Sequence, residues 1–415
     1  MSESFRFLHG SDFRLDQPMR SLPSVASHLS KLIADAPYTA ATRFFDLAIT
    51  ESVDFVLLSG NLLESELASC RPAAFLLNQF ERLRAKGIMV YWCAGELDQP
   101  DRWPSGVELP DNVVSFSAAV VEEATHSRKD KPIATIVGAG FDSRRTTTSD
   151  FIVESEAPFP IALTNGKIDF GSGLARNIRY WAVGGNTKPA VIERGTAIVA
   201  QAGTQQSRSQ SESGGRGCQS VRVDSSGAMK VQFHELDAVR WLPQMLAIAE
   251  SASIDDVQNL VGDRALKLLG DHPDRLLLVD WHITASGPFD SEFRVEKRTE
   301  QTLKWLRDEF GRAADGLWSV DFKITPPESL PDGWYEEDTI LGDYLRAIGR
   351  YQSDISLNLA LHEYLPESVE DNAVASVIRV SADRRSAVLA EAAVLGAGYL
   401  AAGRDGSEVS ATNQF

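Results

Sequence analysis

Short, fully apolar runs alternate with amphipathic stretches at the start of the chain. Phe5–Leu8 predicts a strand that empties into the turn His9-Gly10-Ser11-Asp12. Phe44, Phe45 and Ala48 share one helical face and predict a helix over about 38–52. Val53–Leu58 predicts a second strand, ending at Ser59-Gly60-Asn61. Phe75, Leu76, Phe80 and Leu83 predict a helix over Pro72–Lys86, closed by Gly87. Ile88–Cys93 predicts a third strand, ending at Ala94-Gly95. Strands alternating with helices in this order predict a mostly parallel sheet, because parallel neighbours need a crossover connection.

Between about 112 and 236 the pattern changes to short strands without long helices. Ile133–Val137, Ile161–Leu163, Ile178–Val183, Ala197–Ala200, Ser220–Val223 and Val231–His234 are the strands predicted there. Gly203–Gly217 is rich in Ser, Gln and Gly and predicts a mobile loop. A helix near Ile254–Leu269, a strand Leu276–Thr284, a helix Thr299–Phe310 and a strand Leu317–Ile324 predict a small α/β unit. Pro326, Pro327 and Pro331 mark a linker after it. The remainder reads as helical, with Leu341, Leu345 and Ile348 on one face and an alanine-rich helix over Ala387–Ala402. The expected domains are 1–236, 237–330 and 331–415.

With 43% hydrophobic and 24% charged residues over 415 positions, the chain can bury a core. Its 41 Lys and Arg against 58 Asp and Glu leave a net charge of −17, which disfavours coating nucleic acid by bulk charge. Three cysteines, Cys70, Cys93 and Cys218, lack the spacing of a thiolate metal site and fit a reducing compartment. The first residues hold no basic segment followed by an apolar run, and no apolar stretch approaches ~20 residues. A soluble cytoplasmic protein without membrane contact is expected.

Three loops after successive strands carry polar side chains: Asp12-Phe13-Arg14, Gly60-Asn61 and Gly95-Glu96-Leu97-Asp98. Ligands collect at the carboxyl ends of strands in open α/β sheets, so the three loops should converge on one crevice. Any one of them alone reads as ordinary turn chemistry. Phe5 to Asp16, the approach Val53 to Gly60, and Tyr180-Trp181-Ala182-Val183-Gly184 then carry a resemblance. Gly203–Gly217, Val221-Arg222-Val223-Asp224 and Leu236-Asp237-Ala238-Val239-Arg240-Trp241 continue it. Over roughly residues 5–241 the chain resembles calcineurin-like metallophosphoesterases of the SbcD/YhaO-type DNA-repair exonuclease family. The resemblance implies a four-layer α/β/β/α phosphoesterase sandwich, an α/β cap and a helical C-terminal region.

The family's metal ligands are not matched. Such enzymes activate water between two cations bridged by a carboxylate. Asp12 and Asp98 keep the family's aspartates, but Arg14 stands for its first histidine and Asn61 for its bridging aspartate. Glu96 stands for an asparagine, Leu97 for the histidine that assists the leaving group, and Asn165 for a later histidine. Gly185 and Thr187 stand for a histidine pair. A guanidinium at Arg14 is expected to pair with Asp12 in place of a cation. No metal cofactor is therefore expected, and the weak candidates for one Mn or Mg are Asp12, Asn61 and Glu96.

His9 and the stretch Asp280-Trp281-His282 read as packed structural residues. Arg14, Arg144, Arg145 and Arg208 are the candidate phosphate or DNA contacts. The expected function is a degenerate repair-nuclease subunit, a pseudoenzyme that supports an SMC-like, SbcC-type coiled-coil ATPase on DNA. That partner is implied by the resemblance. Two alternatives remain open. One is a divergent phosphoesterase with a single metal on Asp12, Asn61, Glu96 and Asp98. The other is a non-catalytic module that binds a phosphate-bearing ligand. The acidic C-terminal region, which has no lysine, is expected to pack or to offer Tyr344, Leu345, Ile348 and Tyr351 to a partner.

Overall fold

A computed structural model describes residues 3–15, 17–20, 22, 25–64, 70–99, 108–144, 148–154, 156–169, 177–248, 254–285, 296–325, 330, 332–359, 380 and 382–401. Arg145 and the linker prolines Pro326, Pro327 and Pro331 lie outside the described residues. Two compact units are present. The first comprises Met1–Leu242, Asp271–Leu278 and Ala313–Trp318, and the second Pro243–Gly270, Val279–Arg312 and Ser319–Phe415.

The first unit is built on two six-stranded sheets. One contains β1 (Phe5–Gly10), β2 (Phe55–Leu58), β3 (Met89–Cys93) and β4 (Val113–Phe116), all parallel. The other contains β5 (Glu122–Arg128), β6 (Lys131–Ala139), β7 (Pro160–Asn165), β8 (Tyr180–Gly184), β9 (Ala190–Arg194) and β10 (Ala197–Gln201). It runs in the order β5-β6-β7-β8-β10-β9, parallel from β6 to β10 with an antiparallel strand at each edge. β11 (Gly217–Val223) and β12 (Met229–Glu235) return to the first sheet and complete the order β12-β11-β1-β2-β3-β4.

The sheets face each other across an apolar layer. Phe7, Phe55, Leu57 and Tyr91 from the first meet Ile136, Ile161, Leu163 and Tyr180 from the second. Phe7 stacks on Phe55 at 5.0 Å and meets Tyr180 edge-on at 5.1 Å, both favourable aromatic geometries. α1 (Ser27–Thr50) and α2 (Cys70–Arg84) cover the outer face of the first sheet with Phe44, Phe45, Leu76, Phe80 and Leu83. Phe151 and Val153 cover Trp181 and Val199 on the outer face of the second. This is the mixed α/β sandwich that the resemblance implies.

In the second unit, α3 (Ile254–Asp271) and α4 (Glu296–Phe310) supply helices. A separate three-stranded sheet has the order β13 (Val239–Ile248), β14 (Leu276–Ala285), β15 (Leu317–Thr325), and the first residues of each strand belong to the first unit. Trp281 is buried and donates Nε1–H to Ser319 Oγ at 2.9 Å, the structural role expected of it. α5 (Asp332–Glu336), α6 (Ile340–Ser353) and α7 (Ala382–Ala401) follow. Leu341 and Leu345 on α6 pack on Ala393, Val394 and Ala397 of α7, with Tyr344 and Ile348 against the same cluster. Of the stripe named for a partner helix, Leu345 and in part Tyr344 and Ile348 are thus packed within the chain. No helix among the described residues is long and apolar enough to cross a membrane.

Three features differ from the sequence reading. The helix read from about residue 38 begins at Ser27 and passes through Pro37, because Leu29, Ile33 and Ala36 extend its buried stripe past the proline. β4, β5, β9 and β13 are missing from the reading, and all four lie at sheet edges, where an apolar alternation is not required. β5 is a mostly exposed, polar strand, and β9 is exposed although it begins Ala190-Val191-Ile192.

The expected mobile loop over 203–217 is instead packed inside the first unit, and main-chain groups satisfy much of its polarity. Gln206 accepts from the Ala238 and Val239 N–H groups through Oε1 and donates to Val239 O through Nε2. Arg216 donates to the carbonyls of Thr187, Glu212 and Ser213. Buried amides and guanidinium groups look like loop composition in a sequence, and only the partners they find distinguish the two cases.

Candidate functional site

β1, β2 and β3 end side by side, so the three polar loops emerge at one end of the first sheet. Their backbones are laced together. Asp12 N–H donates to Gly60 O at 2.9 Å, Arg14 N–H to Asn61 O at 2.9 Å and Leu15 N–H to Leu62 O at 3.1 Å. Asp12, Arg14 and Asn61 hold φ values of +53°, +46° and +58°, a left-handed conformation that costs non-glycine residues about 1–3 kcal/mol each. Gly60 is required where it stands: φ is +83°, and an added Cβ would lie 2.4 Å from Gly95 N.

Asp12 is fully buried, and its carboxylate is the hub of the site. Oδ1 accepts from Arg14 Nη2 at 2.8 Å, Arg14 Nε at 3.2 Å and Asn61 Nδ2 at 2.9 Å, while Oδ2 accepts the Gly185 N–H at 2.9 Å. Oδ1 thus takes three donors, two of them from Arg14, and Oδ2 takes one, so one acceptor site remains on Oδ2. The Arg14–Asp12 pair expected from the sequence is therefore formed, with the Arg14 side chain 21% exposed. Asn61 is fixed in orientation, because its Oδ1 accepts the Leu97 N–H at 3.1 Å while Nδ2 faces Asp12.

Asp98 does different work from the one considered for it. Its carboxylate accepts the Asn61 N–H at 2.9 Å, the Leu62 N–H at 2.8 Å and the Gly95 N–H at 2.5 Å. It pins the β2 and β3 loops together. Burial pushes its carboxyl up to about 6, against the pull of those three N–H donors, and the nearby Asp12 charge adds to the rise.

A cavity of about 490 Å³ opens beside this hub, within the size range of ligand pockets. Arg14, Asn61, Glu96, Leu97, Asn165 and Gly185 line it, so six of the sequence-predicted positions meet there. Thr187 is not part of the lining, and its carbonyl takes the Thr204 N–H at 3.2 Å. Asn165 donates Nδ2–H to Ser59 O at 2.6 Å, which ties the end of β7 to the end of β2. Phe141, Asp142, Gly166 and Lys167 also line the cavity and were missed. Lys167 comes directly after Asn165-Gly166 at the carboxyl end of β7, so the rule that found the first three loops applies to it as well.

The other candidate phosphate contacts separate. Arg208 is buried and donates to the carbonyls of Gln206, Phe13 and Arg14, so it holds the Asp12–Arg14 turn rather than facing a ligand. Arg144 is exposed and paired with Asp142 at 2.9 Å. His9 is packed as expected: Nε2 lies 2.8 Å from Ser59 Oγ and Nδ1 3.2 Å from the Tyr180 hydroxyl. Burial pushes its imidazole down to about 3, so it is neutral at physiological pH.

A two-cation centre does not fit these residues. The bridging position is an amide that points N–H at Asp12, and Asp12 already pairs with the Arg14 guanidinium and takes four hydrogen bonds, three on Oδ1 and one on Oδ2. Among the described residues no group of three or more His, Cys, Asp or Glu is arranged to hold a metal ion.

Two consequences can be measured. In a double-mutant cycle of Arg14→Met and Asp12→Asn, read by urea unfolding, the single losses should together exceed the double-mutant loss by roughly 0.5–3 kcal/mol. Additive losses would mean that the two side chains do not interact. Asp98 keeps its proton in the folded protein to a pH where the unfolded chain has released it. Its contribution is therefore fully present below about pH 4 and is lost as pH rises through about 6. The stability of the wild type relative to Asp98→Asn should fall across that window by an amount on the order of 3 kcal/mol. A difference independent of pH would contradict the raised carboxyl.

No family model matches the chain. It is 28% identical over 283 residues to the metallophosphoesterase YhaO of Bacillus subtilis (strain 168), spanning 65% of this chain and 69% of that protein. Among solved structures, TT1561 of Thermus thermophilus is 16% identical, covers 55% of this chain and 98% of its own, and has a TM-score of 0.33. A putative 5'-nucleotidase from Staphylococcus aureus is 12% identical, covers 63% of this chain and 59% of its own, and has a TM-score of 0.34. The facing mixed sheets, the loops that converge at their carboxyl ends and the similarity to YhaO agree with one another: the chain has the calcineurin-like phosphoesterase fold and is related in sequence to a YhaO metallophosphoesterase.

Proposed function

We propose that this chain is a degenerate SbcD/YhaO-type nuclease subunit, a pseudoenzyme in which phosphodiester hydrolysis is lost or strongly weakened. The observation that carries this reading is the Asp12 carboxylate, paired with Arg14 and hydrogen-bonded by Asn61 and Gly185 where hydrolysis requires cations. Two-metal hydrolysis depends on a bridging carboxylate to hold both cations and polarise the water between them. An amide at position 61 supplies neither the charge nor a second free oxygen. Leu97 has no proton to give a leaving group, and such assistance is typically worth ~10²–10⁴-fold. His9 cannot substitute, since it is buried beneath the loops and absent from the cavity lining.

What remains is a framework kept rigid by hydrogen bonds. On this reading the protein serves as a structural or regulatory partner of an SMC-like, SbcC-type coiled-coil ATPase on DNA, in the cytoplasm. The similarity to YhaO and the retained fold support the family component of this reading. With Leu345 and Ile348 covered by α7, such a partner would contact other surfaces.

Elemental analysis and a manganese-dependent nuclease assay on the same full-length preparation test the proposal. After dialysis, less than one equivalent of transition metal should remain. Cleavage of single- or double-stranded DNA should not exceed that of Asp12→Ala. Two retained equivalents, or cleavage abolished by Asp12→Ala, would show a working centre.

A further inference from the structure

Among the charged side chains around the cavity, two cations have donor capacity to spare. Arg14 uses Nε and Nη2 on Asp12, and its Nη1 has no hydrogen-bond partner among the described residues. Lys167 is exposed on the same cavity and has no ion-pair partner among the described residues. Of the two acidic residues on the wall, Glu96 and Asp142, the second is paired with Arg144. Phe141 and Leu97 add apolar surface, and the Glu96 carboxylate, which has no ion-pair partner among the described residues, adds an acceptor. The loops that present Arg14 retain their left-handed residues, and backbone strain of this kind persists where the surrounding structure holds it in place.

We propose that the cavity is a metal-independent receptor for a phosphate monoester of about mononucleotide size, with Arg14 and Lys167 as the phosphate contacts. This rests on the reading of the site as non-hydrolytic. Asp12 fixes the guanidinium plane from behind, and the remaining N–H edge of Arg14 meets the phosphate oxygens. A planar guanidinium held in this way recognises an oxyanion with little loss of side-chain freedom. Lys167 supplies a second, more mobile charge. A cavity of 490 Å³ holds more than a phosphate, so the body of the ligand lies along Phe141 and Leu97, with its hydroxyl or amino groups toward Glu96. The guanidinium is tethered to the chain, so recognition needs no divalent ion.

Isothermal titration of the full-length protein with AMP, ribose 5-phosphate, inorganic phosphate and adenosine, each with EDTA and then with manganese, tests the assignment. AMP should bind saturably and equally in both conditions, adenosine should not bind, and AMP should be recovered intact. Ribose 5-phosphate and inorganic phosphate separate the share of affinity that the phosphate carries from that of the base. Arg14→Met should weaken AMP binding by about tenfold or more, and Lys167→Met, at an exposed position that folding does not depend on, by a smaller factor. The inference is overturned by an absence of saturable AMP binding, by affinity unchanged in Lys167→Met and Arg14→Met, or by adenosine binding as well as AMP. Binding that requires manganese, with release of phosphate from AMP, would overturn the non-hydrolytic reading itself.

Discussion

The site is organised by one buried carboxylate and the number of donors it can accept. Asp12 sits where three strand ends meet, and its oxygens take hydrogen bonds from its own loop, from the β2 loop and from the loop after β8. A buried carboxylate must be compensated, either by cations or by a set of donors. Here the second solution is present. Arg14 brings the charge, Asn61 the geometry and Gly185 a main-chain N–H. Each of these residues is explained by Asp12, and none of them suits a pair of cations.

Asp98 has the complementary role in the neighbouring loops. By accepting three main-chain N–H groups from the β2 and β3 loops, it fixes the position of Asn61 and hence the direction of its amide. Arg208 does the same for the first loop, through the carbonyls of Phe13 and Arg14. Residues in the left-handed region are therefore held from both sides, by a carboxylate that collects N–H groups and a guanidinium that collects C=O groups. The aromatic layer of Phe7, Phe55 and Tyr180 beneath them gives those loops a rigid floor.

Much of this is legible in the sequence. The central strands are continuous apolar runs, which is the signature of strands buried on both faces, and the polar residues after them fall where such sheets place ligands. Arg14 beside Asp12 is readable as a pair because a permanent charge two residues from an aspartate has few other uses in a buried turn. Edge strands are read unevenly: Val231–His234 reveals β12, whereas β5 is polar and the five-residue β9 is exposed despite Val191 and Ile192. The segment 203–217 misleads for a related reason: its glutamines and arginines have loop composition, and their partners are main-chain groups that no sequence displays. Lys167 escapes notice because the β7 loop stands out for the histidine it lacks at Asn165, and a single lysine two positions later belongs to no motif.

Whether the cation of this site belongs to the protein or to the solvent is most directly decided by anomalous diffraction at the manganese edge, from crystals of the full-length protein soaked in manganese chloride. If Arg14 supplies the charge, no anomalous peak will lie between Asp12 and Asn61, and density will show the guanidinium on the Asp12 carboxylate. A peak coordinated by Asp12, with Arg14 turned away from it, would contradict that assignment.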